Sequence, residues 1–431
     1  MSPATPRASW TRCWVHAEPR GTTYYSGVVL PRRVRLALCR PDGSPLGVTP
    51  ELALGDDTWW SDAAGLVSAA REAWGLDVTI LRLAATHRAD GFDHQVYVAE
   101  TDADPVVPLT PTDPALGVDE SLRMPWAAPS GPRAQLAWAS SALRAAGMQI
   151  VEPPHQLRSW NLSSLWRLPT DAGTVWLKAV PPFFAHEGAV IEALARHPVP
   201  RVIARTDGIA LLADIPGEDL YAPSDGDARR MIDVLIGIQS ALSRADLPAD
   251  MPSWSVIDLA DAGEHTLRET PALASRDRAK VSGLLERLPQ TASALEACGL
   301  TETLVHGDFH PGNFRGTAES ITLLDWGDSG WGHPLLDAAA FTERMDASSV
   351  DGGVVLDGCL AVGGARQRSR ACARAPRARQ RPASGSHLPG FPGSHRTRRA
   401  GVSPARPLDL VAQGGCPRHV AQGVGHVNGR R

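Results

Sequence analysis

Lysine is almost missing from this chain of 431 residues: 43 positions carry lysine or arginine, and only Lys178 and Lys280 are lysines. Where arginine meets the general need for positive charge, a remaining lysine marks a place where a compact ammonium serves better than a planar guanidinium. Long apolar runs are missing too. No stretch approaches the ~20 residues that span a bilayer, and the opening MSPATPRASWTRCW has no apolar core of a secretory signal. These absences argue against a membrane partner and point to the cytoplasm. The six cysteines (Cys13, Cys39, Cys298, Cys359, Cys372, Cys416) include no CxxC pair and no metal-finger spacing, which suits a reducing compartment. With a net charge of -4, the overall balance offers nothing for nucleic acid, and small-molecule chemistry fits better.

What is present, 43% hydrophobic and 21% charged residues, is enough for a full core divided among two or three domains. Residues 1–130 read as an accessory α/β domain plus linker. Its strand at 34–38 is followed by a turn in PDGSPLG, a helix over 62–74 with a Ser61/Asp62 cap and a stop at Gly75, and strands at 78–84 and 95–99 around the polar loop HRADGFD. The order of elements around REAWGLDV is faintly similar to a Nudix hydrolase, although that family's consecutive metal-binding glutamates are replaced by Glu72, Ala73, Trp74 and Gly75. Residues 102–132, rich in Pro, Asp, Thr and Ser, read as the linker.

A helix over 132–146 opens the second domain, 131–350. Its β-rich small lobe, about 150–215, contains two strands in SSLWRLPTDAGTVWLKAV, a helix over 186–196, and short strands at 199–203 and 209–212. A helical large lobe, about 216–350, has helices at 228–242 and 276–288. Residues 351–431 form a tail, and from 361 onward it is dense in Arg, Gly, Pro and Ser with Asp409 as its single acid. Such a segment buries too little apolar surface to offset chain entropy, so it reads as disordered, or as an out-of-frame translation of a GC-rich gene.

The chemistry concentrates in LVHGDFHPGNF, residues 304–314, and ITLLDWGDSGWGHPLLDAA, residues 321–339. In each, an apolar run leads into a polar cluster, so both clusters sit at strand ends. Carboxylates and an amide brought together there suit phosphoryl transfer, which needs a carboxylate to orient and deprotonate a hydroxyl and oxygen ligands for Mg on the phosphates. Two plainer readings compete. His306, Asp308 and His310 alternate like metal ligands, but not in the HxHxDH order of zinc hydrolases, and Gly, Asp, Pro and Asn are also ordinary turn residues.

HGDFHPGN resembles the catalytic loop of the aminoglycoside phosphotransferase family, with its choline-kinase-like and sugar-kinase-like relatives, and LLDWGDSGWG resembles that family's metal-binding segment. The resemblance covers about 157–341. It implies an α+β, protein-kinase-like two-lobe fold that uses ATP, or GTP, with Mg to phosphorylate a hydroxyl on a small molecule such as an aminoglycoside, amino alcohol or sugar. It implies Asp308 as catalytic base, Asn313 and Asp325 as Mg ligands, Asp328 as an outer or second-metal carboxylate, and His306 as a structural residue.

Lys178, in VWLKAV, would clamp the nucleotide phosphates, paired with Glu187 or alternatively Glu192. Ser163 and Ser164 would donate to phosphate, and LLADIPGEDL, residues 211–220, would link the lobes and receive the adenine. The acidic stretch Glu218, Asp219, Asp225 and Asp227 offers a surface for a cationic acceptor. The competing functional class is a nucleotide-binding protein without catalysis, since the last large-lobe helices that complete an acceptor pocket are not evident in the sequence.

Overall fold

The computed structural model of the chain describes residues 30–54, 60–113 and 121–345. The tail 351–431 lies outside these described residues. Two compact units are present: one holds residues 30–254 and 299–345 of the described chain, the other residues 255–298.

The first unit begins with an α/β body. Strands β1 (Arg32–Cys39), β2 (Pro45–Val48) and β3 (Leu52–Leu54) precede helix α1 (Ala64–Trp74) and the hairpin of β4 (Thr79–Ala89) and β5 (Phe92–Glu100). The sheet order is β2-β1-β5-β4, with β1 and β5 parallel. The loop expected in HRADGFD shrinks to the two residues Asp90 and Gly91. Both have positive φ, the conformation a tight hairpin needs, so the strands run on to meet them. Helix α1 starts at Ala64, not Asp62, and has no side-chain cap. Ser61 and Asp62 are committed elsewhere, to backbone pairing with the neighbouring domain.

The stretch read as a linker is tied down in its described parts. Thr110 pairs with Val48, and Trp126, in a 3-10 turn over Pro125–Ala127, is 2% exposed.

Helix α2 (Gly131–Ala145) leads into a second, all-antiparallel sheet. Its strands are β6 (His155–Ser159), β7 (Ser164–Thr170), β8 (Gly173–Ala179), β9 (Val202–Thr206) and β10 (Ile209–Ala213), in the order β6-β7-β8-β10-β9. Helix α3 (Glu187–Ala193) lies between β8 and β9 in sequence. Alternation in β7 and β8 serves both faces: Trp166, Leu168, Val175 and Leu177 pack with Ala139 and Leu143 of α2, while Leu165 and Trp176 join the larger core.

After β11 (Glu218–Asp219), helix α4 (Asp225–Ala241) starts a turn before the expected 228. Ser224 and Asp227 form a reciprocal capping box there, so the SDGD run that read as surface acid is a helix start. Strand β12 (Ser253–Trp254) closes this part of the unit.

The second unit holds three helices, α5 (Val256–Glu269), α6 (Ser275–Leu285) and α7 (Leu288–Ala297), of which the sequence had suggested one. Arg278 of α6 donates to the carbonyls of Leu267 (2.8 Å) and Thr270 (2.6 Å), fixing the α5 terminus against α6.

The first unit resumes with β13 (Thr303–Val305), β14 (Phe314–Gly316), β15 (Ile321–Leu323), β16 (Gly330–Gly332) and helix α8 (Leu335–Arg344). One continuous core joins the small-lobe sheet and α3 to these pieces, with Leu165, Val190, Met231, Leu235, Phe309, Phe314, Trp326 and Phe341 buried together.

The α/β body and the small-lobe sheet meet edge to edge, β4 against β6. Gln156 of β6 accepts from the Ile80 N–H (2.8 Å) and donates to its carbonyl (2.7 Å), and the Ser159 hydroxyl donates to the Leu81 carbonyl (2.7 Å). Replacing Gln156 with Leu strands both polar groups of a buried peptide, so stability should fall by about 2–4 kcal/mol. Urea unfolding measures this, and an unchanged midpoint would show that the amide does not hold the joint.

Candidate active site

Lys178 projects from β8, and Leu165 and Ala210 face it across the sheet. Its ammonium is 5% exposed and donates to Glu187 Oε1 (2.5 Å) and Asp325 Oδ1 (2.8 Å). Burial works against the charge, but the two carboxylates outweigh it and hold the lysine above its ordinary pKa. Glu187 opens α3, where a carboxylate also faces the favourable end of the helix dipole, and its Oε1 accepts the Trp326 N–H (3.2 Å). Of the two glutamates considered, Glu187 is the partner; Glu192 pairs instead with Arg205 (2.8 Å).

Asp325 follows β15 with φ 62 and ψ 67, the left-handed region that aspartate tolerates better than most residues. This sharp turn brings its carboxylate to Lys178. Burial would raise the Asp325 carboxyl, but Lys178 overrides that and keeps it below the usual range. The side chain remains 45% exposed, with one oxygen on Lys178.

The 306–313 loop is built from within. His306 is fully buried: its Nε2 faces the Leu324 carbonyl (2.8 Å), an acceptor, so Nε2 carries the hydrogen and Nδ1 accepts the Asp308 N–H (3.3 Å). Burial lowers its pKa to about 4, so the ring is neutral. With both nitrogens occupied and its ring against Trp326 (4.7 Å), His306 braces the loop and is not available as a metal ligand. Gly307 has φ 84, and a Cβ there would sit 2.1 Å from the Asp328 carbonyl, so only glycine lets the two motifs approach.

Asp308 reaches partly into solvent, its Oδ2 3.4 Å from His310 Nε2. The Asn313 side-chain amide donates to the Asp308 carbonyl (2.8 Å), which turns its own oxygen away. Asp328 ends the 3-10 turn Trp326–Asp328, and its carbonyl accepts the Trp254 indole N–H (3.1 Å).

Sequence reasoning missed Asp337 as part of this machinery. Fully buried on α8, it accepts from the N–H groups of His306 (2.8 Å) and Gly307 (2.9 Å) and from Gln239 of α4 (3.0 Å). Burial pushes its carboxyl up to about 7 against these donors. The one available signal was its place in PLLDAA, a lone acid on the apolar face of a helix. Ser163 and Ser164, expected to donate to phosphate, sit where β7 begins. They are 8% and 1% exposed, and their hydroxyls accept indole N–H groups from Trp160 (2.7 Å) and Trp166 (3.2 Å). Ser164 is thus packed inside the sheet, and Ser163 braces its own turn.

Among the described residues no group of three or more His, Cys, Asp or Glu could hold a metal ion by itself. The oxygens of Asn313 and Asp325 nonetheless fit Mg, which takes one or two protein ligands and completes its octahedron with water and phosphate.

The segment joining the two lobes is pinned by Arg315, 1% exposed, which donates to the Ile215 carbonyl (2.9 Å) and to Asp219 (2.6 Å).

Residues 157–372, half of the chain, match the model of the phosphotransferase enzyme family, and the chain belongs to that family. It is a phosphotransferase on a mixed fold of sheets and helices. The match runs past residue 350, where the sequence reading placed the start of the tail.

The solved structures it resembles include three enzymes. One is a macrolide 2'-phosphotransferase from Brachybacterium faecium, 18% identical over 55% of this chain and 87% of that one, with a TM-score of 0.40. Another is a choline/ethanolamine kinase family protein from Mesorhizobium loti, 19% identical over 55% and 79%, with a TM-score of 0.41. The third is an aminoglycoside phosphotransferase from Streptomyces rimosus in complex with ADP and streptomycin, 17% identical over 55% and 96%, with a TM-score of 0.35. No curated protein matches the chain.

Asp337→Asn puts an amide N–H against a backbone donor, so the folded state should lose about 2–3 kcal/mol. The pH dependence has a definite sign. The native carboxyl takes up its proton near 7 and the unfolded one near 3.8, so between these values the native state binds more protons and stability falls as pH rises. Thermal unfolding from pH 5 to 8 should show this downward slope in the unaltered chain and a flatter one in Asp337→Asn.

Proposed function

We propose that this chain transfers the γ-phosphate of ATP to a hydroxyl group of a small molecule. The observation that carries the reading is the buried Lys178 ammonium between Glu187 and Asp325, with Asp308 and Asn313 on the adjoining loop. Lys178 would serve nucleotide binding with or without catalysis, and Asp308 beside Asn313 is what favours transfer over binding alone.

In this reading Lys178, aimed by Glu187, binds the nucleotide phosphates as a point charge. The acceptor hydroxyl docks at Asp308, which His310 and Asn313 hold in place. As the hydroxyl oxygen attacks the γ-phosphorus, its proton passes to the Asp308 carboxylate and the bond to the β–γ bridging oxygen breaks, releasing ADP. Asn313 and Asp325 would hold Mg, which when bound neutralises charge on the phosphates. Asp328, whose backbone lies against Gly307 of this loop, would be an outer or second-metal carboxylate. Holding the parts in line and stabilising charge carry most of the rate in such transfers.

The acidic stretch considered for a cationic acceptor is partly spent on structure: Asp219 is paired with Arg315, and Asp227 caps α4. Glu218 and Asp225 remain exposed and open to a cationic acceptor, and screening aminoglycosides, macrolides, amino alcohols and sugars together reads the preference.

Thermal unfolding in the presence of ATP or GTP, with and without Mg, tests the nucleotide site. Stabilisation that requires Mg and disappears in Asp325→Ala is the expected result, and no stabilisation by either nucleotide would sink the reading. With an acceptor in hand, Asp308→Ala should cut turnover by about 10²–10⁴-fold while nucleotide affinity holds. Retained turnover would remove Asp308 from the role of base.

A further inference from the structure

The turn at residues 160–163, between β6 and β7, lies at the end of the sheet that carries Lys178. Ser164 pairs with Ala179 and Leu165 with Lys178, so the turn begins two residues beyond the lysine's own cross-strand neighbour. Phosphates held by Lys178 would lie at this end of the sheet, next to the turn. The turn has no glycine, and Asn161, at its tip, is exposed. What fixes it is aromatic, and much of that comes from outside the sheet.

Trp160 is the centre of the arrangement. Its N–H donates to the Ser163 carbonyl (3.1 Å) and its indole N–H to the Ser163 hydroxyl (2.7 Å), which closes the turn internally. Its carbonyl accepts the indole N–H of Trp126 (2.8 Å), from the 3-10 turn ahead of α2. Its ring meets Trp60 edge to face at 5.6 Å, and Arg158 lies over it at the same distance.

Trp60 is itself held by the α/β body. Its carbonyl accepts the hydroxyl of Tyr97 (2.6 Å), a residue 1% exposed on the central strand β5, and Arg32 of β1 donates to the same Tyr97 oxygen (2.9 Å). The next residues are laced to β6, with Ser159 donating to the Ser61 carbonyl (3.2 Å) and Ala63 donating to the Leu157 carbonyl (2.9 Å). A continuous set of contacts therefore runs from the core of the α/β body through Tyr97, Trp60 and Trp160 to Ser163.

We propose that the α/β body and the 3-10 turn that follows it are a clamp acting within the same chain: through Trp60 and Trp126 they preset the 160–163 turn over the nucleotide phosphates. Trp60 and Trp126 are positioning residues, since neither needs to touch the nucleotide. The inference rests on the functional reading above. It gives the added body a task in the reaction without a ligand of its own, and it accounts for a phosphate-covering turn that dispenses with glycine. A turn already held in its bound shape costs less entropy to order when the ligand arrives.

The test uses the full chain with Trp60→Ala, Trp60→Phe and Trp126→Phe, each checked for folding by its unfolding midpoint. Hydrogen–deuterium exchange of the amides at 160–164, without nucleotide, should quicken in Trp60→Ala and stay near the original rate in Trp60→Phe, which keeps an aromatic edge. The dissociation constant of ATP with Mg should rise about threefold to tenfold in Trp60→Ala, the size expected for one lost aromatic pair. Trp126→Phe, which keeps the ring and removes the N–H, should raise it in the same direction.

A chain that binds nucleotide with unchanged affinity and unchanged exchange in all three variants overturns the clamp and leaves the functional reading standing. A chain that shows no nucleotide binding in its unaltered form overturns the reading of the site and the clamp with it.

Discussion

An ammonium removed from water costs several kcal/mol unless carboxylates compensate it, and Lys178 is buried at a point where three separate segments must supply that compensation. The sheet brings the lysine, α3 brings Glu187, and the turn after β15 brings Asp325. None of the three can shift alone. A displaced α3 would leave the cation short of a partner, and an Asp325 in ordinary β conformation would point elsewhere. The positive φ at Asp325 is thus strain held in place by an ion pair, a local cost offset by electrostatics. One cation between two anions carries a net negative charge, and the exposed oxygen of Asp325 is where that excess meets solvent.

The second dependency runs through the backbone of the 306–313 loop. Main-chain N–H groups at His306 and Gly307 end on one buried carboxylate, Asp337, which also takes Gln239 from α4. Two helices distant in sequence therefore help to set the backbone of the loop that carries Asp308. His306 does the complementary work from the other side, as a neutral ring wedged against Trp326 and the Leu324 carbonyl. The loop and the segment after β15 are joined by these contacts and by the close approach that Gly307 permits.

Much of this was legible in the chain before any coordinates. Two clusters of turn-prone, oxygen-bearing residues at strand ends pointed to the site, and one of only two lysines, set in an apolar strand, pointed to the cation. Glu187 was the first choice as partner with Glu192 as the alternative, and packing decides for Glu187 because both acids lie on one short helix. Asp337 escaped notice since an acid in an apolar helix reads as a surface charge until its two backbone donors are seen. For Ser163 and Ser164 the sequence suggested donation to phosphate but not the burial of both beside neighbouring indoles, whose N–H groups their hydroxyls accept.

Helices α5 and α7 were missed, and burial does not separate them from α6, which the sequence did suggest and which likewise has no fully buried residue. The start of α4 was hidden by the dual character of Ser-Asp-Gly-Asp, which looks like solvent-facing charge and works as a cap.

The edge-to-edge joint at β6 has a consequence of another kind. An uncovered outer strand of an antiparallel sheet is a template on which a second copy can add its own strand. Here that border is occupied by the segment at Ser61–Ala63 and by Gln156 reaching to Ile80, so the sheet ends against its own chain. A small lobe cut free of residues 30–113 would present β6 and the ring of Trp160 to its neighbours. The added body therefore also guards solubility, and that duty would persist at any nucleotide concentration, including none.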